Sequence, residues 1–152
     1  YNNLVQKTMF NDLIQKYHVD LVLQGHEHAY ARMTLHDEQG KAIPPVYTVS
    51  HCSPKSYRIA FDPRFDKFGI ESRYYQYVRI HGDTLSLSAY EVPAGNLYDS
   101  LDIVKTGTPP AILDYGKNIP EHLNFKPGNN KKDQKYMKLI ENYKHTKKDI
   151  HQ

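Results

Sequence analysis

Hydrophobic and polar positions along the chain change period several times, and each change marks an element. Across residues 2–17, Leu4, Val5, Thr8, Met9, Asp12, Leu13 and Lys16 recur at spacings of three and four, a mostly apolar stripe that predicts a helix capped by Asn2 or Asn3. His18 makes a short turn, and Asp20-Leu21-Val22-Leu23-Gln24 then reads as a buried strand. Val46-Tyr47-Thr48-Val49-Ser50 reads as a second one. From Tyr74 to Tyr90 the period becomes two: Tyr75, Tyr77 and Arg79 alternate with Gln76, Val78 and Ile80. Gly82-Asp83 makes the turn, and Leu85, Leu87 and Ala89 alternate with Ser86, Ser88 and Tyr90. This pattern predicts an antiparallel hairpin with one buried face. Near the end, Tyr136, Leu139, Ile140 and Tyr143 fall at i, i+3, i+4 and i+7 behind Asn130, a helix and its cap.

The connections are as distinctive as the elements. His36 to Pro45 is turn-rich, with Asp37-Glu38-Gln39-Gly40 and Pro44-Pro45. Ser53 to Ser72 mixes proline, charge and aromatics without a period and predicts a long surface loop, a length that tends to be functional or mobile. Its Arg58, Arg64 and Lys67 read as solvated charges, with contact to phosphate as the alternative. Residues 107–130 are rich in Pro, Gly and Asn and read as a linker, which divides the chain into a domain over 1–106, the linker, and a basic amphipathic helical tail over 131–150. Charge follows the same boundary. Residues 117–152 carry nine Lys against four acids, whereas 1–116 carry eleven basic and thirteen acidic residues.

The candidate chemistry lies just after the first strand, in Gly25-His26-Glu27-His28. In an extended chain two side chains separated by one residue share a side, roughly 7 Å apart. Two imidazoles so spaced suit the two ends of a metal pair about 3.5–4 Å apart. The glycine lets the backbone turn off the strand's C-terminal end, where sheet proteins place ligands. A solvated loop is the plain alternative, but the order helix, strand, ligand loop favours a metal site. Glu27 between the histidines points away from them in such a loop and reads as a surface group. His51 lies just past a strand end, where it can line the same cleft on the substrate side. Cys52, the one cysteine, has no base arranged for it and reads as small filling at the strand end.

The run Asp20 to Arg32, with Gly25-His26-Glu27-His28-Ala29-Tyr30-Ala31-Arg32, resembles the last metal-binding block of the calcineurin-like metallophosphoesterases, specifically their purple acid phosphatase branch. Tyr74 to Ile80, Gly82-Asp83-Thr84-Leu85, Ala89-Tyr90 and Leu97-Tyr98-Asp99 resemble the closing hairpin and last strand of those enzymes, so the likeness spans about residues 1–105. It implies an α/β (α+β) fold: the C-terminal half of a four-layer αββα sandwich, two sheets flanked by helices, here followed by a helical tail. It also implies hydrolysis of phosphate monoesters at a dinuclear centre of Fe, Zn or Mn. By that resemblance His26 binds the second metal and His28 the first, hydroxide from a metal-bound water is the nucleophile, and Tyr30 and Arg32 support the loop. Arg32 would also steady the site electrostatically.

The family's other ligand blocks, an Asp, a Gly-Asp, a Gly-Asn-His and a further His, precede Gly-His-x-His and have no counterpart here. The only Gly-Asp, Gly82-Asp83, follows the motif. The resemblance therefore implies a C-terminal portion of a larger enzyme, a reading that Tyr1 in place of Met supports. Such a portion is expected to be inactive and metal-poor alone. It would pair with the missing half of its domain or self-associate through the apolar face left open. Apolar residues make up 39% of the chain, low against ~45–50% for globular proteins under a count that includes Gly. Thirteen Tyr offset part of that deficit. No apolar run approaches the ~20 residues of a membrane span. Relatives with this block are mostly exported, so a periplasmic or extracellular location follows by analogy. The alternative function is a non-catalytic binding module that uses the basic tail for nucleic acid or an acidic partner. The tail has no Arg and its aromatics lie on the apolar stripe, which disfavours nucleic acid.

Overall fold

The computed structural model describes residues 4–55 and 57–150, with side chains over 10–55 and 57–147. Helix α1 (Leu4–Lys16) leads into strand β1 (Leu21–Gln24), followed by β2 (Tyr30–His36), β3 (Ala42–Val49) and β4 (Lys67–Ile70). Next come β5 (Arg73–His81), β6 (Thr84–Val92), β7 (Leu97–Val104) and β8 (Ala111–Asp114). A 3-10 turn at Gly116–Asn118, strand β9 (His122–Leu123) and helix α2 (Lys131–Ile150) complete the chain. The expected capping residues Asn2 and Asn3, and the side chains of Leu4, Val5, Thr8 and Met9, lie outside the described residues.

These elements form two sheets. The first runs in the order β1-β3-β2-β4-β9 and is mixed: β1 and β3 are parallel, β4 and β9 are parallel, and β2 is antiparallel to both its neighbours. The second is an antiparallel meander, β5-β6-β7-β8. Strand alternation sends Ala31, Phe68 and Ile70 to one face of the first sheet, where they pack with Tyr136, Ile140 and Tyr143 of α2. It sends Tyr30 and Val46 to the other face, against Tyr74, Leu87, Ala89, Tyr98, Leu101 and Ile103 of the second sheet. The layers are therefore helix, mixed sheet, antiparallel sheet. The outer face of the second sheet carries exposed Tyr75 and Tyr77. Among the described residues no helix is long and apolar enough to cross a membrane.

The hairpin forms as its alternation predicts, with Tyr77 opposite Ser88 and Gly82 turning at a φ of 54°. The tail helix spans the expected residues. Asn130 caps it: its Oδ1 accepts the Asp133 N–H at 3.0 Å and its Nδ2 donates to Asp133 Oδ2 at 2.8 Å. Arg58, from the long loop, closes on the same carboxylate. Leu139 departs from the expected stripe and is exposed, because the buried line runs through Asp133, Tyr136, Ile140 and Tyr143. With Tyr136 and Tyr143 spent on the sheet, α2 presents lysines without aromatics to solvent.

Several expected connections are structural. The second expected strand starts earlier, at Ala42, and carries Pro44 and Pro45 through a register break opposite Thr34 and Leu35, where the ladder needs no N–H from them. The end of the 53–72 loop is β4, whose Lys67 is buried and not solvated. Residues 107–130 are no simple linker, since β8 extends the second sheet and β9 extends the first. Two glycines permit the close approach of the layers. A Cβ on Gly69 would sit 2.4 Å from the Tyr74 hydroxyl, and one on Gly116 would sit 1.8 Å from Asp99 Oδ1. On α1 the expected stripe residues Asp12, Leu13 and Lys16 are exposed, as are Phe10 and, just past its end, Tyr17, so this helix keeps apolar surface open.

Ile140→Ala should cost about 2–5 kcal/mol of unfolding free energy, the usual range for a truncated core side chain. Leu139→Ala should cost less than about 1 kcal/mol as an exposed neighbour. Equal losses in urea titrations would contradict the packing of α2. Hydrogen bonds from Arg58, Gly128 and Asn130 hold the Asp133 carboxyl below its ordinary value. A carboxylate so depressed stabilises the fold above its unfolded pKa of about 3.9 and loses that contribution as pH falls through the lower folded value. Asp133→Asn should therefore flatten the acid limb of the stability curve between about pH 5 and pH 2. An unchanged limb would show that the clasp does not form.

Candidate metal centre at the histidine loop

β1 ends at Gln24 and the chain bends through residues 25–29 before β2 begins. The loop thus leaves the C-terminal end of a strand with a parallel neighbour, β3. It does not stay extended. His26 takes a left-handed backbone at φ 79°, while Gly25 has no positive φ, so the turn expected at the glycine is made one residue later. A β-carbon in that region costs about 1 kcal/mol or more, and such strain clusters at functional sites. The shared side of an extended His-x-His is accordingly replaced by a bend that places each ring separately. His26 and Glu27 are exposed and His28 is half-buried.

His28 is held from three sides. Its Nδ1 lies 2.6 Å from the Lys55 carbonyl oxygen. A carbonyl only accepts, so Nδ1 carries the proton and the neutral ring keeps its lone pair on Nε2. The ring stacks on His51, with centroids 4.9 Å apart and planes 17° apart, and meets Tyr57 at 4.1 Å. The loop after β3 therefore supplies three supports to one histidine. The sequence signalled His51 by its place at a strand end, whereas Lys55 and Tyr57 sat in a stretch without period.

His51 joins the site differently from the expectation. Both its ring nitrogens are shielded from solvent, so the imidazole works here as a wall behind His28 with no open coordinating atom. Burial, and secondarily the neighbouring His28, hold it below its ordinary pKa. Cys52, expected as filling, is exposed.

Tyr30 and Arg32, expected to support the loop, lie in the interior. They point between the sheets and are 0% and 1% exposed, so neither meets a solvent-borne ligand. The reason is alternation: in β2 the odd positions face α2 and the even ones face the second sheet. Tyr30 donates to Asp99 Oδ2 at 2.8 Å. Arg32 Nε donates to the same oxygen at 2.7 Å, and its Nη2 donates to Asp114 Oδ2 at 2.7 Å. Burial alone would pull the guanidinium pKa down, but Asp99 and Asp114 outweigh it and hold the value above the ordinary one. Asp114 is thereby tied to Arg32, and Asp102 accepts from the Tyr115 hydroxyl. Among the described residues no group of three or more His, Cys, Asp or Glu is gathered to hold a metal.

Compared with known proteins, the chain matches no family model, no curated protein and no solved structure.

Arg32→Met leaves Asp99 buried beside Tyr30 without its cation and should cost about 3–5 kcal/mol of stability, as for other broken buried pairs. A loss below about 1 kcal/mol in chemical denaturation, the figure for a surface ion pair, would show that the network does not hold the sheets.

Proposed function

We propose that this chain is the C-terminal portion of a dinuclear metal-dependent phosphatase of the calcineurin-like, purple acid phosphatase-like kind, acting on phosphate monoesters. The observation that carries the reading is the Gly25-His26-Glu27-His28 loop at the end of a parallel strand, with the Nδ1–H of His28 fixed on Lys55 O. Metal-bound histidines characteristically hold the second ring nitrogen in this way, which sets the tautomer and orients the ring. The mixed α/β architecture with two facing sheets is compatible with half of a four-layer sandwich. In that reading further strands add at the open edge of β1, whose Leu23 is exposed, beside the exposed Phe10 and Leu13 of α1.

Two imidazoles fit iron, zinc or manganese as donors. They fall short of the three protein ligands usual at a catalytic zinc, so the remaining donors belong to the added strands. Bound there, the metal ions would supply positive charge that polarises a phosphoryl group and lowers the pKa of water. The chain's own residues hold the geometry. Lys55 O fixes the His28 tautomer, His51 and Tyr57 fix its ring, and the Arg32 network fixes the strand behind it. Alone, the chain is expected to bind metal weakly and to turn over phosphate esters negligibly. An exported location follows from the same resemblance.

Equilibrium dialysis with Zn²⁺ or Mn²⁺, comparing the chain with a His26→Ala, His28→Ala double variant, tests this reading. The variant should lose about tenfold or more in affinity. Equal binding by both proteins, or appreciable turnover of an aryl phosphate by the variant, would sink it.

A further inference from the structure

A second concavity lies away from the histidine loop, where β4, the 3-10 turn, residues 119–121, β9 and the last turns of α2 meet. Its volume is about 860 Å³, within the range of small-molecule sites. Its wall includes Asp66, Lys67, Asn118, Glu121, Lys117 and Lys144. None of these supports His28.

The charges are arranged in depth. Inside, Lys67 donates to the carbonyls of Gly116 and Ile119. Lys147 donates to Asp66 O and to Glu121. The interior cations are therefore tied to protein oxygens. The interior carboxylates are tied by one oxygen each: Asp66 Oδ2 accepts from the Thr34 N–H and hydroxyl, and Glu121 Oε1 accepts from Phe68 N–H and Lys147. Among the described residues nothing donates to Asp66 Oδ1 or Glu121 Oε2. Toward solvent, Lys117 and Lys144 are exposed, and neither ammonium enters an ion pair among the described residues. Acceptor oxygens lie within and two uncommitted cations stand outside.

We propose that this corner binds a small phosphorylated polyol or sugar, with the phosphate on Lys117 and Lys144 and the hydroxyl groups donating to Asp66, Glu121 and Asn118. Hydroxyl donors match carboxylate and amide acceptors, and a phosphate matches the ammonium groups at the mouth of the same cavity. A bare anion would meet the carboxylates once past the mouth. An uncharged polyol would leave both lysines unused. The inference goes beyond the phosphatase reading and stands on different residues.

NMR titration of the 152-residue chain with glucose 6-phosphate, glucose and inorganic phosphate tests it. Glucose 6-phosphate should shift the amides of Lys117, Asn118 and Glu121. It should bind at least about tenfold more tightly than either glucose or phosphate alone. Lys117→Ala with Lys144→Ala should weaken it by about tenfold or more, whereas Lys131→Ala with Lys135→Ala removes the same charge from α2 outside the cavity and should leave it within about twofold. All four lysines are exposed, so folding is retained. The His26→Ala, His28→Ala variant should bind as the parent does, which separates this site from the histidine loop. Absence of these shifts, phosphate binding as tightly as the sugar phosphate, or equal weakening by the two lysine pairs would overturn the proposal.

Discussion

The Arg32 guanidinium is the point on which both sheets depend. It is buried in β2 and reaches Asp99 of β7, Asp114 at the end of β8 and, at 3.5 Å, Asp66 ahead of β4. One side chain thereby ties the mixed sheet to the antiparallel one and to the segment that leads into the edge strand. A buried guanidinium is tolerable only when its donors are met, and one carboxylate cannot meet five. Three are gathered. Their supports follow from the same need: Tyr30 donates to Asp99, Thr34 donates to Asp66, and the backbone of Gly116 and Lys117 donates to Asp114. Gly116 has no side chain because Asp99 occupies the space one would take.

This network also explains which parts of the fold could be read in advance. The hairpin of β5 and β6 and helix α2 announce themselves because their periods run for nine residues or more and their termini carry the right chemistry. The strands β4, β8 and β9 are four, four and two residues long, too short for a period to emerge. Their composition also misleads. Lys67 and Gly69 occupy the inter-sheet face of β4, where alternation alone would ask for apolar side chains, and each is there for a partner far along the chain. Lys67 closes on the carbonyls of the 3-10 turn and lies over the Tyr98 ring at 4.8 Å, while Gly69 makes room for the Tyr74 and Tyr98 hydroxyls. Burial lowers the Lys67 pKa, opposed by Asp99 and Glu121. Long-range demands of this kind leave no local trace, so a buried strand reads as a charged loop.

At the histidine loop the same contrast holds on a smaller scale. The motif and its position after a strand were visible in the residues themselves. The left-handed turn at His26 was not, because the neighbouring glycine offered the cheaper place for it. Tyr30 and Arg32 were visible as supports, but their direction depends on which face of β2 meets which layer, and that is set by α2 and the second sheet. Lys55 and Tyr57 act through a carbonyl and a ring brought back across 27 and 29 positions of chain.

The two histidines differ in backbone and in exposure. His28 is half-buried, with its proton assigned by the Lys55 carbonyl and its ring against His51 and Tyr57. His26 is exposed on a left-handed backbone at the end of a strand whose outer edge is open. The left-handed backbone at His26 costs energy, and such a conformation persists only when its surroundings over-determine it. The Arg32 network closes among residues of this chain and anchors β2, the strand that leaves the histidine loop, so the loop inherits its rigidity from the contact between the sheets while Lys55, His51 and Tyr57 orient the His28 ring.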